Sequence, residues 1–166
     1  FKPNSIDDLK NFLNDIKNKK KKIFILGAGS NILFRDAGFD GVIIKLGKPF
    51  KEIKLLENNK IEVGAASLDK KLADFAYQNS ISGFEFLSCI PGSIGGAITM
   101  NSGCYDNDIS KVFSSLKAIS LDGKIIVLKK DEVKFFYRGN NLDKKLIILS
   151  VILQGKSGKK DQIKKK

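Results

Sequence analysis

The stretch of sequence that decides the fold is Ile90-Pro91-Gly92-Ser93-Ile94-Gly95-Gly96-Ala97, which continues shortly to Asn101-Ser102-Gly103. Glycine destabilises regular structure by about 0.5–1 kcal/mol relative to alanine, so three glycines within five residues are costly. A chain keeps such a segment where its backbone must approach another group closely. Pro91 has no N–H and a fixed φ, so it interrupts regular structure. The stretch therefore predicts a loop whose backbone contacts a ligand.

A second glycine-rich stretch, Gly27-Ala28-Gly29-Ser30-Asn31, directly follows a predicted strand at residues 23–26. Without a Cβ, successive backbone N–H groups can converge on an anion. The dinucleotide fingerprint of a Rossmann fold would place a third glycine where Ile32 stands and would continue into a helix, and this sequence does neither. Two such loops in one domain predict one extended ligand with a diphosphate. Two unrelated tight turns are the alternative.

The rest of the chain predicts an α+β fold, because strand hairpins alternate with isolated helices and a regular βαβ repeat is missing. Asn58-Asn59 and Asp122-Gly123 are typical hairpin turns, and residues 145–154 form a last strand. Apolar residues at helical spacing predict a helix over residues 6–17, with Ser5 as its N-cap. Further helices are expected after Ser67, as its cap, and from Asp131 to about Tyr137-Arg138.

Composition narrows the class of protein. The 166 residues suffice for about one domain, and 42% of them are hydrophobic, which excludes a disordered chain. We expect neither a membrane span nor a signal peptide. The absence of histidine excludes His-based triads and His-ligated zinc, and no metal site is expected. Two cysteines, Cys89 and Cys104, are too few for a disulfide scaffold, so we expect a cytoplasmic protein in which both are small buried hydrophobes.

The net charge of +12 raises the alternative of a nucleic-acid-binding module. Two lysine-rich segments, residues 17–22 and 156–166, carry ten of these charges. The basic residues are almost all lysine, whereas nucleic-acid surfaces usually depend on the bidentate guanidinium of arginine. Only Arg35 and Arg138 are arginines. We therefore expect no nucleic-acid partner and no membrane partner.

Several motifs together resemble the UDP-N-acetylenolpyruvoylglucosamine reductase family. Its first flavin-binding loop resembles Leu26-Gly-Ala-Gly-Ser-Asn-Ile-Leu33, followed by Asp36, Gly38 and Gly41-Val-Ile. The motifs that resemble the rest of the family's site are Gly83-Phe-Glu-Phe-Leu87, Ile90-Pro-Gly-Ser-Ile-Gly-Gly-Ala-Ile98, Met100-Asn-Ser-Gly103 and Phe136-Tyr-Arg138. They follow the family's order over residues 3–154.

The resemblance implies a two-subdomain FAD-binding fold of the p-cresol methylhydroxylase type. It implies an FAD-binding domain over residues 1–155, with one subdomain at about 1–65 and another at about 66–155. Residues 156–166 would be a linker, or the start of a helix, leading to a substrate-binding domain outside this sequence. The implied activity is NADPH-dependent reduction of an enolpyruvyl UDP-sugar to UDP-N-acetylmuramate in peptidoglycan precursor synthesis. Another FAD-dependent oxidoreductase on the same scaffold is the alternative.

The resemblance also implies the site residues. FAD would be bound noncovalently, because a histidyl link is impossible here and two scattered cysteines do not suggest a cysteinyl one. Arg138 would be catalytic, Tyr137 would position substrate, and Asn140 stands where the family usually has serine. The expected cofactor-binding residues are Leu26, Gly27, Ala28, Gly29, Ser30, Asn31, Ile32, Ile90, Pro91, Gly92, Ser93, Gly95, Gly96, Ala97, Asn101 and Gly103.

Overall fold

The computed structural model of the protein describes residues 1–19 and 21–164. The helices are α1 (Ile6–Ile16), α2 (Asp69–Gln78), α3 (Ile94–Met100), α4 (Ile109–Val112) and α5 (Lys160–Lys164), with 3-10 turns at Lys48–Phe50, Glu85–Cys89 and Lys130–Glu132. The strands are β1 (Ile23–Ile25), β2 (Val42–Ile44), β3 (Ile53–Leu55), β4 (Lys60–Gly64), β5 (Ile81–Ser82), β6 (Gly103–Cys104), β7 (Asn107–Asp108), β8 (Phe113–Ile119), β9 (Ile125–Lys129), β10 (Phe135–Phe136), β11 (Gly139–Asn140), β12 (Ile147–Gln154) and β13 (Lys156–Ser157). Lys20, within the first lysine-rich segment, lies outside the described residues.

A five-stranded antiparallel sheet forms the centre of the fold, in the order β3-β4-β12-β8-β9. The central strand β12 pairs Val151 with Val63 of β4 on one side and with Leu116 of β8 on the other, and all three side chains are buried. Strands from the first 65 residues and strands from residues 66–155 thus share one sheet. The division into two subdomains stays a prediction.

The two predicted hairpins are confirmed. Asn58 and Asn59 both adopt φ of 57° between β3 and β4, and Gly123 adopts φ of 83° between β8 and β9. Asparagine and glycine tolerate this left-handed region, so the local sequence fixes the turns. The amphipathic helix is confirmed as α1, which begins after its cap: the Asp8 N–H donates to Ser5 Oγ at 2.9 Å.

Three local predictions were wrong. Residues 90–103 are not one loop, because α3 occupies their middle, with Gly95, Gly96 and Ala97 inside the helix. Ser67 does not cap α2: its hydroxyl donates to the Lys51 carbonyl at 2.7 Å, and the backbone of Leu68 takes the cap position. The helical stretch predicted from Asp131 is a single 3-10 turn, and the chain then forms the β10–β11 hairpin instead of a helix.

The C-terminal residues fold back onto the domain. In β13, Lys156 pairs with Ser82 and Ser157 with Ile81. Helix α5 follows, and its Ile163 is buried. Residues 156–164, expected as a linker or the start of a helix, thus contain a strand and then a helix. Residues 165 and 166 of that predicted segment lie outside the described residues.

Candidate functional site

The first glycine-rich loop, residues 27–31, is exposed and connects β1 to the segment that leads to β2. The two strands run parallel, with Phe24 opposite Ile43, and the Leu26 N–H donates to the Ile44 carbonyl at 2.9 Å. Beyond Leu26 the pairing ends: within the described part of the chain, the N–H groups of residues 28–31 find no acceptor. Gly29 has φ of +88°, a backbone conformation that residues with a side chain rarely adopt. The loop therefore presents unbonded donors on a backbone that glycine makes possible.

The second glycine-rich segment, residues 90–103, is built around α3 and is anchored to the sheet. The N–H of Gly95 donates to the Ala65 carbonyl at 2.8 Å, just beyond the end of β4. A Cβ on Gly95 would lie 3.2 Å from both Cβ and O of Ala65. This glycine allows α3 to approach the sheet closely, and its missing side chain faces protein rather than open space.

The two glycine-rich segments meet at Gly27 and Ser93. A Cβ on Gly27 would lie 2.6 Å from Ser93 Oγ, so the first loop passes directly over that hydroxyl. Ser93 is buried, and its Oγ has no hydrogen-bond partner among the described residues. A Cβ on Gly96 would also have Ser93 Oγ as its nearest neighbour, at 3.6 Å. A buried hydroxyl without a partner between two glycines fits a polar ligand that supplies the missing hydrogen bond.

Asp69, the first residue of α2, lies against the same segment. Its N–H donates to the Gly92 carbonyl at 3.2 Å, and a Cβ on Gly92 would lie 2.3 Å from Asp69 Oδ2. The residue is 0% exposed, and neither carboxyl oxygen has a partner within residues 1–19 and 21–164. Burial raises the pKa of Asp69 from 3.8 to about 7. The carboxyl is therefore partly protonated near neutral pH.

Arg138 and Tyr137 form the two-residue turn of the β10–β11 hairpin. Tyr137 is 87% exposed, and the Arg138 guanidinium carbon lies 5.5 Å from the centre of the Tyr137 ring. Arg138 has φ of 58°, which is uncommon for a residue with a long side chain. Backbone strain of this kind is found more often at functional sites than elsewhere.

Two asparagine side chains attach this hairpin to α3. Asn140 Nδ2 donates to the Ile98 carbonyl at 2.7 Å, and Asn101 Nδ2 donates to the Phe136 carbonyl at 3.1 Å. Asn101, which ends α3, itself adopts φ of 43°. These bonds hold Arg138 next to the C-terminal end of α3. The structure thus brings the predicted catalytic arginine beside the second glycine-rich segment.

The prediction that both cysteines are buried was wrong. Cys89 is exposed and Cys104 is half-buried. Their sulfur atoms lie 3.5 Å apart, and each thiol also lies 3.3 Å from the Phe86 carbonyl oxygen. Spacing in the sequence gave no sign of this contact, because it depends on how residues 90–103 return beside the 3-10 turn.

Sequence reasoning also missed Asp69 and the tether role of Asn140. The only signal at Asp69 is an acidic residue in the first turn of a helix, which is common because of the helix dipole and does not indicate burial.

A separate cavity of about 340 Å³, lined by residues that include Glu52, Glu62 and Ser150, contains none of the predicted site residues. No helix within the described residues has the length and apolar character needed to cross a membrane.

Comparison with known proteins gives close relatives over nearly the whole chain. A UDP-N-acetylenolpyruvoylglucosamine reductase of Pelagibacter ubique (strain HTCC1062) is 48% identical over 163 residues, which cover 98% of this chain and 54% of that protein. One of the same name from Rickettsia rickettsii (strain Sheila Smith) is 46% identical, over 98% of this chain and 55% of that protein. This chain therefore spans about half the length of these curated relatives.

Solved structures agree with the predicted fold. The crystal structure of UDP-N-acetylenolpyruvylglucosamine reductase (MurB) from Thermus caldophilus matches with a TM-score of 0.86 at 28% identity, over 99% of this chain and 57% of that chain. p-Cresol methylhydroxylase with substrate bound matches with a TM-score of 0.68 at 14% identity, over 95% of this chain and 35% of that chain. The second likeness concerns the fold alone. Together they confirm the α+β fold of the p-cresol methylhydroxylase type.

One family covers most of the chain. Residues 1–129 match the family described as FAD binding domain, and this range contains both glycine-rich segments and the point where Gly27 meets Ser93. The match confirms FAD as the predicted cofactor. This protein belongs to the FAD binding domain family.

Proposed function

We propose that the chain is the FAD-binding part of an enzyme that reduces UDP-N-acetylglucosamine enolpyruvate to UDP-N-acetylmuramate, with NADPH as the hydride donor, in peptidoglycan precursor synthesis. The observation that carries the proposal is the meeting of two glycine-rich segments at Gly27 and Ser93, in a chain that is 48% identical to a reductase of that name over 163 residues. We propose that the reaction takes place in the cytoplasm, as the low cysteine content predicts. Because this chain spans about half the length of those relatives, the whole activity is proposed for the full-length protein.

The residues at this junction fit a cofactor with a diphosphate. The unbonded N–H groups of residues 28–31 suit phosphate oxygens, and the Ser93 hydroxyl can donate to the same group. Along α3, Gly96 offers backbone without a side chain, which suits close approach of a flat ring system. When bound, FAD supplies the two-electron chemistry that links NADPH to the enolpyruvyl double bond. The remaining predicted cofactor residues stay proposals at their positions in these two segments.

Arg138 is proposed to bind the enolpyruvyl carboxylate. The planar guanidinium makes two parallel hydrogen bonds to a carboxylate and also stabilises negative charge that develops next to it. Arg138 is exposed at the tip of the β10–β11 hairpin, so its guanidinium is accessible to a ligand. The side chain of Asn140 holds the hairpin to α3. Tyr137, stacked near the guanidinium, is proposed to orient it or the substrate.

Gly96→Ala tests the cofactor site with little effect on the fold. The added Cβ would make only an ordinary contact with Ser93, and alanine favours the α3 helix. We expect FAD affinity, measured by flavin fluorescence titration, to fall at least about tenfold, while the thermal unfolding midpoint of the apoprotein does not fall. Wild-type affinity in this variant would contradict the site. The matched control is Asn11→Ala at an exposed position inside α1, where alanine also favours the helix and no predicted site residue lies, and its FAD affinity should equal that of wild type.

The reaction is tested on the full-length protein. NADPH oxidation should require both bound flavin and the enolpyruvyl UDP-sugar, and the product should be UDP-N-acetylmuramate by mass spectrometry. If flavin binds but this substrate is not reduced, the chain belongs to another FAD-dependent oxidoreductase on the same scaffold.

A further inference from the structure

Cys89 and Cys104 lie side by side at the two ends of the second glycine-rich segment. Cys89 is the last residue of the 3-10 turn Glu85–Cys89, and Cys104 ends β6. Their sulfur atoms are 3.5 Å apart, and both thiols share the Phe86 carbonyl as acceptor. Neither thiol takes part in the proposed chemistry. Cofactor and substrate binding therefore do not explain the contact between these two thiols.

We propose that Cys89 and Cys104 are a redox modification site, which forms a reversible intramolecular disulfide under peroxide. A disulfide requires the sulfur atoms to approach to about 2.05 Å, so each needs to move by less than about 1 Å. Rotation about the Cα–Cβ bond moves a cysteine sulfur atom over a distance of this size. The two supporting elements are anchored, because Phe86 and Leu87 are buried on one side and β6 pairs with β7 on the other.

The exposed thiol is the one that reacts first. Burial, followed by the hydrogen bond with Cys89, raises the pKa of Cys104 to about 11, so Cys104 is almost fully protonated at neutral pH. Cys89 is open to solvent and therefore meets the oxidant. Its thiolate attacks one peroxide oxygen, the O–O bond breaks, and the products are a sulfenic acid and water after protonation.

The second step closes the bridge. The Cys104 sulfur attacks the Cys89 sulfur, an S–S bond forms, the S–O bond breaks, and the departing hydroxide takes the Cys104 proton and leaves as water. Two thiols and one hydrogen peroxide thus give one disulfide and two waters. The cysteines lose two electrons and the peroxide gains two. Two molecules of a small thiol such as glutathione reverse the change and leave as their own disulfide.

The bridge would enclose residues 90–103, and with them every predicted cofactor-binding residue of the second segment. A cross-link between residues 89 and 104 restricts the unfolded chain, which stabilises the folded segment. In a reducing compartment such bridges are transient and report on oxidants. The modification would therefore make the rigidity of this segment depend on peroxide.

The test uses the purified full-length protein, reduced and then exposed to hydrogen peroxide under native conditions. Remaining thiols are alkylated, and peptides are mapped by tandem mass spectrometry. We expect a cross-linked pair of peptides containing Cys89 and Cys104, lost again on treatment with glutathione. The matched variants Cys89→Ser and Cys104→Ser should give no intramolecular cross-link. The proposal is overturned if both cysteines are alkylated after peroxide, or if the only disulfides found join two molecules.

A second measurement separates a bridge in the native fold from one formed in unfolded protein. Oxidised wild type should unfold at a midpoint roughly 3–6 °C higher than reduced wild type, as expected when closing a loop of about 15 residues stabilises a protein about twice as long as this chain. Peroxide should leave the midpoints of both single variants unchanged. An equal or lower midpoint for the oxidised wild type would overturn the proposal. Neither experiment uses flavin binding or reductase activity, so its result is independent of the proposed function.

Discussion

The two glycine-rich segments have similar composition for different physical reasons. In residues 27–31 glycine serves the loop's own backbone: Gly29 has φ of +88°, and a Cβ there would come no nearer than 4.0 Å to another heavy atom, on Leu26. In residues 90–103 glycine serves contacts between chain segments: Gly95 lies against Ala65, and a Cβ on Gly103 would lie 2.2 Å from the Asn107 carbonyl oxygen. Gly29 thus leaves backbone donors free for a ligand in the first segment, whereas Gly95 and Gly103 permit close packing in the second.

The largest expected effect is on the reaction rate and concerns the second segment, because the hairpin with Arg138 is hydrogen-bonded to α3 of that segment. Donors aimed at developing charge contribute roughly 10²–10³ in rate, or about 2.7–4 kcal/mol. In the full-length enzyme, Arg138→Ala should slow flavin reoxidation by the enolpyruvyl substrate by about that factor. Flavin content and reduction by NADPH should change far less, because that half-reaction does not build charge beside the carboxylate. Stopped-flow absorbance measures the two half-reactions separately.

Two further variants test whether the effect of Arg138→Ala depends on the shape of the guanidinium or only on a nearby positive charge. Arg138→Lys should recover only part of the rate, since an ammonium group cannot make the bidentate contact. Lys134→Ala, which removes an exposed positive charge just before β10, should leave both half-reactions unchanged. Equal slowing of both half-reactions in Arg138→Ala would show a structural or cofactor-side role and refute the assignment.

A second test concerns pH, because the buried carboxyl of Asp69 lies against the second segment. Asp69 titrates near 7 in the folded protein and near 3.8 otherwise, so between these values the folded state binds the additional proton. The free energy of unfolding contributed by this group therefore falls as pH rises from about 4 to about 7 and is constant above. Asp69→Asn removes the carboxylate and should stabilise the apoprotein at pH 8 by about 2–4 kcal/mol, with little change at pH 4.

Urea unfolding at pH 4, 6 and 8 measures this difference. Asp74→Asn is the matched control, because Asp74 lies on the same helix and is exposed. Its unfolding free energy should follow that of wild type at every pH. A different result would contradict the argument from burial. If the free energies of unfolding of Asp69→Asn and wild type differ by the same amount at pH 4, 6 and 8, the Asp69 carboxyl is ionised in the folded state.

Local signals account for what the sequence predicted well. Hairpin turns at Asn58-Asn59 and Gly123, and the Ser5 cap of α1, depend on a few adjacent residues. The α+β fold and both glycine-rich segments follow from patterns of that kind. The prediction failed where clustered glycines can have two structural causes, a loop or a closely packed helix. Residues 90–103 were predicted as a loop, but their glycines allow the helix α3 to pack closely.

Features that depend on distant residues could not be predicted. The contact of Gly27 with Ser93 joins residues 66 positions apart, and the pairing of Cys89 with Cys104 depends on how the chain returns after α3. Burial of Asp69 needs the whole arrangement of α2, Gly92 and the sheet. The Tyr137-Arg138 turn replaced a predicted helix end because the pairing of β10 with β11 outweighs the weak helical pattern there.

The smallest expected effect on stability lies in the first segment and tests the contrast directly. Gly29→Ala meets no neighbour closer than 4.0 Å, so its cost comes only from holding alanine at a φ of +88°, about 1–2 kcal/mol. FAD affinity should fall by more than this destabilisation explains, because the strained loop turns the N–H groups of residues 28–31 away from the position they hold in wild type. Apoprotein stability by urea unfolding and FAD affinity by fluorescence titration, on the same preparation, separate the two effects. If stability falls while FAD binds as tightly as in wild type, Gly29 is only a turn residue and serves structure alone, as Gly95 does in the second segment.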